Sequence, residues 1–313
     1  MPEEVLPARP LRDRFGLGAM LAAALAAAVL LLTALAVWGL GWRTAAELKA
    51  SLGQSLAQRA SDHADQLDAA MFERYREVQL LARRAAQLDG ATARRQLLEE
   101  LQRTYPLYAW IGLADAAGTV QAATGHVLEG ANLAQRPWMG EAAKGVYVHD
   151  VHADAQLAQL LPAHGSRPLR VLDLAFPYFD SAGRPAGVLG AELHWNWAHQ
   201  LLPADALLVA REGKVLAGPE DLLEQTLPGA SLAQARLQPA GYGEEHWPDG
   251  HDYLVGYART RGYEAYPGLG WMVLVRQDAS AAMAPVRRLQ TSLALWGLAL
   301  ALLLAVLGWR GAR

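Results

Sequence analysis

The distribution of apolar and charged positions divides the chain into three parts. Uncharged apolar runs cover residues 15–42 and 289–309, and a long stretch of mixed polar and apolar sequence lies between them. At about 1.5 Å of rise per residue, a helix over either run matches or exceeds the roughly 30 Å thickness of a bilayer's hydrocarbon core. The pattern therefore predicts two transmembrane helices that flank one folded region.

Basic residues lie at the outer end of each run, and they set the expected topology. They are Arg9, Arg12 and Arg14 before the first run, and Arg310 and Arg313 after the second. This bias predicts that residues 1–14 and 310–313 are cytoplasmic, so the folded region is extracytoplasmic. The alternative for the first run is a cleaved signal peptide, because Ala34 to Ala36 resembles a cleavage site. The alternative for the second run is a buried core helix.

A helical period follows the first run. Between residues 43 and 87, apolar or bulky residues recur at steps of three, four and seven: Leu48, Leu52, Leu56, His63, Leu67, Met71, Tyr75 and Val78. Such spacing predicts one long helix with a single apolar stripe. A second helix is expected over 91–104, ending before Pro106, so that helices fill residues 43–105. The stripe either holds a homodimer together or packs on the domain's own sheets.

After Pro106 the pattern changes to short strands separated by tight turns. The segments 107–123 and 169–194 read as hairpins, because the turns 115–118 and 180–183 each begin with Asp and end with Gly. A second set of strands is expected over 206–217, 252–258 and 270–276, with Gly241 to Gly243 as a loop. These elements predict an α+β fold with two tandem antiparallel modules, 106–202 and 203–278, followed by a connector over 279–288.

Composition and motifs exclude several function classes. The net charge is only −3 and the chain has no basic block, which argues against a nucleic-acid partner. Cysteine is absent, so disulfides and thiolate metal sites are excluded. No nucleophile elbow, phosphate loop or dinucleotide motif occurs. We therefore predict neither an enzyme nor a bound cofactor for these residues.

The strongest candidate chemistry lies around Arg136. Its guanidinium, two residues before Trp138 and after a loop with Gly130 and Asn132, offers a planar fork for a carboxylate beside an apolar wall. Glu192, at the end of a predicted strand, is placed to oppose it and to accept from an ammonium. The alternative is structural, with Arg136 clamping backbone carbonyls and Trp138 in the core.

A second candidate cluster lies in residues 149–154. Three of its side chains alternate onto one face if the segment is extended: Asp150, His152 and Asp154. Three such groups can hold a divalent metal, with His126 or His164 completing the shell, although such a stretch is more often a polar loop. A metal here would suit an extracytoplasmic hydrolase, which is the competing enzymatic interpretation.

Two further candidates lie in predicted strands. Asp173 interrupts an otherwise apolar strand, so it is either a paired core carboxylate or an acceptor in a ligand pocket. We also expect Trp110, in the strand 107–114, to be a ligand-binding residue of the same module.

Three segments together resemble a known family. They are Gly130-Ala-Asn-Leu-Ala-Gln-Arg136-Pro-Trp138-Met139, Val146-Tyr-Val-His-Asp150 and the hairpin from Phe176 to Glu192. In order and spacing they are similar to the double Cache domain, the tandem PAS-like extracytoplasmic sensor of bacterial chemoreceptors, histidine kinases and diguanylate cyclases. The resemblance covers residues 42–278 and implies a ligand site in the membrane-distal module, at 106–202.

The resemblance also shows where this chain departs from the family's amino-acid-binding members. Met139 stands where they have a tyrosine, His152 where a later tyrosine would fall, and Glu192 in place of an aspartate. A small solute bearing a carboxylate or an amine is expected, and which one is left open.

These observations predict the ligand-sensing input region of a transmembrane receptor. A homodimer is expected. The output is expected to be either a cytoplasmic signalling domain of a longer receptor, of which these residues are the input half, or a separate protein. The alternatives are the metal-dependent hydrolase and a protein-docking module without a small-molecule pocket.

Overall fold

The computed structural model describes residues 17–162, 168–227 and 229–311. The predicted α+β class is confirmed, because helices combine with two five-stranded antiparallel sheets. Five residues of the sequence predictions lie outside the described ranges: Arg9, Arg12, Arg14, His164 and Arg313.

The α-helices of the described part are numbered in chain order. They are α1 (Leu17–Ala86), α2 (Ala91–Thr104), α3 (Pro137–Ala142), α4 (Ala155–Leu160), α5 (Ala198–Leu201), α6 (Ala230–Leu237), α7 (Ala279–Ala282) and α8 (Ala284–Gly311). Helix α2 has the bounds expected from the sequence. Helix α1 joins the first apolar run to the amphipathic segment without a break, because no proline interrupts it.

The first sheet has the strand order β2-β1-β5-β4-β3. Its strands are β1 (Tyr108–Asp115), β2 (Val120–Ala123), β3 (Tyr147–Ala153), β4 (Arg170–Phe179) and β5 (Pro185–His194). Both predicted Asp-to-Gly turns are present. The carboxylate of Asp180 accepts from the amides of Ala182 and Arg184, both at 2.9 Å, and Gly183 has a φ of 75°, which favours glycine.

The second sheet has the order β7-β6-β10-β9-β8. Its strands are β6 (Ala206–Val209), β7 (Val215–Ala217), β8 (Ala240–His246), β9 (Asp252–Arg259) and β10 (Met272–Asp278). The expected loop at Gly241 to Gly243 is wrong, because these residues belong to β8. An edge strand with one exposed face can be polar, so its sequence lacks the apolar signal of a buried strand.

The apolar stripe of α1 packs within the chain. Five of its predicted members are each at most 5% exposed: Leu56, Leu67, Met71, Tyr75 and Val78. Leu48, Leu52 and His63 are only half-buried. Of the two alternatives for the stripe, packing within the chain is therefore the one observed for its buried part, where each large side chain is withdrawn from water at a gain of about 1.5–3 kcal/mol. The homodimer itself stays a prediction.

Two helices, α1 and α8, are long and apolar enough to cross a membrane. Their apolar parts approach each other closely at a glycine: a Cβ on Gly297 would lie 2.3 Å from Cγ2 of Thr33. Small residues at such a crossing are typical of helices that pack in a bilayer.

Candidate ligand-binding site

The register of the first sheet places four of its residues in one row. Trp110 of β1 pairs with Glu192 of β5, Glu192 pairs with Asp173 of β4, and Asp173 pairs with His149 of β3. Directly opposed residues on neighbouring strands lie side by side on one face of the sheet. Two carboxylates, Asp173 and Glu192, are thus cross-strand neighbours.

Arg136 reaches this row from the start of α3. It precedes the helix in an extended conformation (φ −71°, ψ 135°), and Pro137 at the first helical position fixes where the helix begins. The guanidinium Nη1 forms ion pairs with Asp154 and, at 3.2 Å, with Glu192, while Nη2 donates to Gln156 at 2.9 Å. The clamp on backbone carbonyls is not what is observed for Arg136: its partners are side chains.

Asp154 has two roles at the junction between β3 and α4. It caps α4, since its Oδ1 accepts from the amide of Leu157 at 2.7 Å, and its Oδ2 accepts from Arg136. Burial disfavours its ionisation, but the bonds from Leu157 and Arg136 outweigh burial and hold the pKa of Asp154 below its ordinary value.

Negative charge is in excess around Arg136. Asp173 and Glu192 are 5% and 2% exposed, and one oxygen of each, Oδ1 and Oε2, is buried without a hydrogen-bond partner among the described residues. Burial raises the pKa of Asp173 to about 6. Burial first, and then the charges of Asp173 and Asp154, raise the pKa of Glu192 well above its ordinary value. The site thus contains buried carboxylate oxygens that can accept hydrogen bonds but have no donor among the described residues.

His152 extends the cluster on the β3 side. Its Nε2 lies 3.8 Å from Oδ1 of Asp173, and its ring lies near that of His149, with centroids 5.1 Å apart. One side of the carboxylates is therefore lined by imidazoles.

The aromatic candidates lie in the apolar core beside the row. Trp138 and Met139 on α3 are buried and pack with Trp110, whose Nε1 donates to the carbonyl of Val127 at 3.0 Å. A Cβ on Gly190 would lie 3.1 Å from Cη2 of Trp138, so this glycine of β5 makes room for the indole. The Nε1 of Trp138 is buried without a partner among the described residues.

The expected one-face arrangement of Asp150, His152 and Asp154 is wrong. The register of β3 against β4 shifts between His149 and His152, which is a bulge that inserts one extra residue and breaks the alternation. Asp150 accepts from Nε1 of Trp271 at 2.8 Å instead of facing Arg136. His126, the other candidate ligand, lies 2.9 Å from Glu129. Within the described ranges no group of three metal-ligating side chains occurs.

The structure adds two residues that the sequence pattern did not single out. Gln156 completes the contacts of Arg136, and Gly190 accommodates Trp138. Gln156 lies on an exposed helical turn, and no pattern in the sequence identified it as a site residue. Gly190 is two residues before Glu192 in a strand, where an interior glycine indicates close packing against it.

Comparison with known proteins gives consistent matches. A family model described as a Cache domain matches residues 44–286. No curated protein matches the chain at a significant level.

Solved structures that are similar to this chain include ligand-binding domains of several chemoreceptors. The domain of Pseudomonas aeruginosa PAO1 PctC in complex with GABA has a TM-score of 0.55 and 21% identity, and covers 72% of this chain and 100% of its own. That of Pseudomonas fluorescens CtaA with L-serine has a TM-score of 0.56 and 21% identity, covering 73% and 97%. That of Campylobacter jejuni Tlp3 with 4-methylisoleucine has a TM-score of 0.60 and 14% identity, covering 76% and 95%.

Proposed function

This chain belongs to the Cache domain family, and from that membership we propose that it is the ligand-sensing input region of a bacterial transmembrane receptor. Cache regions bind ligands and are not catalytic, so the proposal concerns recognition and signalling. The ligand proposed for this chain is a small solute with a primary ammonium group, bound at Arg136, Asp154, Asp173 and Glu192.

The observation behind this ligand class is the surplus of buried carboxylates. Three of them face one guanidinium, and Arg136 already pairs with Asp154 and Glu192. Asp173 and Glu192 each keep a buried oxygen without a donor among the described residues. An ammonium supplies up to three hydrogen-bond donors and a positive charge. It can therefore pair with the carboxylate oxygens that lack a donor and offset the excess of negative charge. A simple carboxylate ligand would add negative charge to a site that already has an excess.

The ligands of the similar receptors agree with this chemistry. GABA, L-serine and 4-methylisoleucine, which are bound to PctC, CtaA and Tlp3, each contain an amino group. Those ligands also contain a carboxylate, and in this chain Arg136 remains the group to receive one.

A matched set of three four-carbon compounds tests the proposal. We expect GABA and butylamine, which contain an ammonium, to raise the melting temperature of the full chain in detergent, and butyrate to leave it unchanged. The screen then extends to amino acids, polyamines and organic acids. If only organic acids without nitrogen stabilise the protein, the ammonium proposal is wrong; if no small molecule does, a docking module is the better interpretation.

Variants locate the binding site. Glu192→Gln removes an ionisable acceptor but keeps the shape, and because the raised pKa already favours the neutral acid in the free protein, the fold should tolerate it. We expect this variant to lose the thermal shift, and Arg136→Ala to lose it as well. Glu141→Gln on the exposed surface of α3 is the control, and its shift should equal that of the wild type.

The proposal includes an orientation and an assembly. The folded region is periplasmic, both termini are cytoplasmic, and the receptor works as a homodimer whose signal passes through β10 into α8 to a cytoplasmic output. Reporter fusions at residue 150 and at the C-terminus test the orientation, since they should report opposite sides of the membrane. Crosslinking of single cysteines on α8 in native membranes tests the homodimer.

A further inference from the structure

A cavity of about 640 Å³ in the second module is separate from the Arg136 site. Four arginines and a threonine are among the residues that line it: Arg211, Arg236, Arg259, Arg261 and Thr260. They come from distant parts of the sequence, just after β6, in α6 and at the end of β9. The tertiary fold therefore brings Arg211 and Arg236 beside Arg259 and Arg261, which are close in the sequence.

Hydrogen bonds to backbone carbonyls hold the guanidinium groups of two of these arginines, Arg236 and Arg259. Nη2 of Arg236 donates to the carbonyl of Arg211 at 3.1 Å, and Nη1 of Arg259 donates to the carbonyl of Arg236 at 3.3 Å. Within residues 17–162, 168–227 and 229–311, these three guanidinium groups form no ion pair with a carboxylate. Arg261 has an exposed partner, Asp65, at 3.4 Å. Three charges at the cavity are thus uncompensated by the described residues.

Thr260 is the second and independent indication of a ligand. The residue is 2% exposed and lines the cavity, and its hydroxyl Oγ1 has no hydrogen-bond partner among the described residues. Its backbone is ordinary, since the amide donates to the carbonyl of Trp271 at 2.8 Å. Buried hydroxyls are almost always paired, so this one is available to a bound group.

The wall formed by residues 261–270 is fixed in place. The carboxylate of Asp68 on α1 accepts from the amides of Arg261 and Gly262, at 2.7 and 2.9 Å. Gly262 and Gly268 have φ values of 84° and 74°, and a Cβ on Gly268 would lie 2.5 Å from the amide nitrogen of Gly262. A wall tied down in this way loses little entropy when a ligand binds.

From this geometry we infer that the second module contains an anion site for a molecule with two or more carboxylate or phosphate groups. One guanidinium group can donate two parallel N–H···O hydrogen bonds to two oxygens of a carboxylate or of a phosphate. A single monoanion would leave most of the positive charge uncompensated. The volume is that of a small-molecule site, so a compact polyanion is the expected occupant.

Calorimetric titration of the full chain in phosphatidylcholine nanodiscs tests the site, with citrate, pyrophosphate and acetate as probes. We expect citrate or pyrophosphate to bind at least about tenfold more tightly than acetate, and to weaken as salt is raised. The double variant Arg211→Gln/Arg236→Gln should lower the affinity for the polyanion by tenfold or more. Arg184→Gln, at an exposed ion pair in the first module, is the control and should change nothing.

Two further variants make the result decisive. Thr260→Val keeps the side-chain volume, so it should fold normally yet weaken polyanion binding. Glu192→Gln, which removes the proposed ammonium site, should leave polyanion binding intact. Failure of one proposed site can therefore be distinguished from failure of the other. Repeating the titration in discs with phosphatidylglycerol tests for a competing lipid: a tenfold loss of pyrophosphate affinity would show that a headgroup with a single phosphate charge occupies the site, which would overturn the inference of a polyanion. No binding of either polyanion, or binding that survives both the arginine and the threonine variants, would overturn the inference.

Discussion

The indole Nε1 of Trp271 donates a 2.8 Å hydrogen bond to the carboxylate of Asp150, which links the two sheets. Asp150 lies in the bulge of β3, close to His152, which faces Asp173 of the candidate ligand site. Trp271 immediately precedes β10, and β10 leads through α7 into α8. A change in β3 on ligand binding thus has a direct contact through which to reach the strand before the second apolar helix.

This contact predicts a stability effect. Trp271→Phe keeps an aromatic ring against Trp195, whose centroid lies 5.3 Å away, but removes the donor to a largely buried carboxylate. We expect the free energy of unfolding to fall by about 1–3 kcal/mol, which urea denaturation of the full chain in detergent would measure. The matched variant Asp150→Asn keeps an acceptor and should lose less. Equal stability of Trp271→Phe and wild type would mean that the bond contributes nothing.

The acidic pair predicts a pH dependence with a definite sign. Because burial raises the pKa of Asp173 from 3.8 to about 6, the folded state binds more protons than the unfolded state between these values. The contribution of Asp173 to stability is therefore present at low pH and lost as pH rises through about 6. Between pH 7 and pH 5 the wild type should gain about 1 kcal/mol relative to Asp173→Asn.

Denaturant titrations at the two pH values check this difference. Asp180→Asn is the control: its turn hydrogen bonds lower the pKa of Asp180, so its titration lies below the tested range and this variant should follow the wild type. If acidification from pH 7 to pH 5 lowered the stability of the wild type relative to Asp173→Asn, the upward direction assigned to the pKa of Asp173 would be wrong.

Ligand binding should change with pH in the same range. An ammonium beside Asp173 and Glu192 favours their ionised forms, so binding at pH 5 must displace protons that are absent at higher pH. We expect the affinity for the amine to rise by up to about tenfold per pH unit below the pKa of about 6, and to rise further at higher pH as long as Glu192, whose pKa burial also raises, still releases a proton on binding. Calorimetry in buffers of different ionisation enthalpy would detect the released proton. Affinity independent of pH would place the amine elsewhere.

Because α1 packs closely on the second sheet, replacing Gly256 at this contact should strongly destabilise the fold. A Cβ on Gly256 of β9 would lie 2.2 Å from the backbone carbon of Leu56, where no flexible side chain can yield. Gly256→Ala should lower the free energy of unfolding by about 2–4 kcal/mol. Gly140→Ala in α3 is the control, since its Cβ meets nothing within 4 Å, and a helical alanine should stabilise by about 0.5–1 kcal/mol.

The crossing of the two apolar helices gives another test. Gly297 on α8 faces Thr33 on α1, so Gly297→Leu should force the helices apart, whereas the same change at Ala299, the control position, adds bulk away from Thr33. Single cysteines placed at Val37 and Gln290, which lie near each other, report the separation through their crosslinking yield. A yield that Gly297→Leu does not reduce would show that the close approach is not required.

Much of the fold was readable from local sequence. The Asp-to-Gly turns, the bounds of α2 and the two-module α+β class followed from turn chemistry and hydrophobic period, which act over a few residues. Strand β8 was missed because an edge strand needs no apolar alternation. The apolar stripe of α1 left both a dimer face and packing within the chain open, because such a stripe does not say what covers it.

For the candidate site too, some features follow from the sequence and others only from the tertiary structure. The sequence by itself determined that Arg136, Trp138 and Glu192 belong to a Cache-like module between two apolar helices. Only the tertiary structure decided that Asp173 stands beside Glu192, and that the bulge in β3 turns Asp150 away towards Trp271. Register and bulges are set by pairing between distant strands, and the same long-range pairing gathers the four arginines of the second module, so no local pattern could reveal either arrangement.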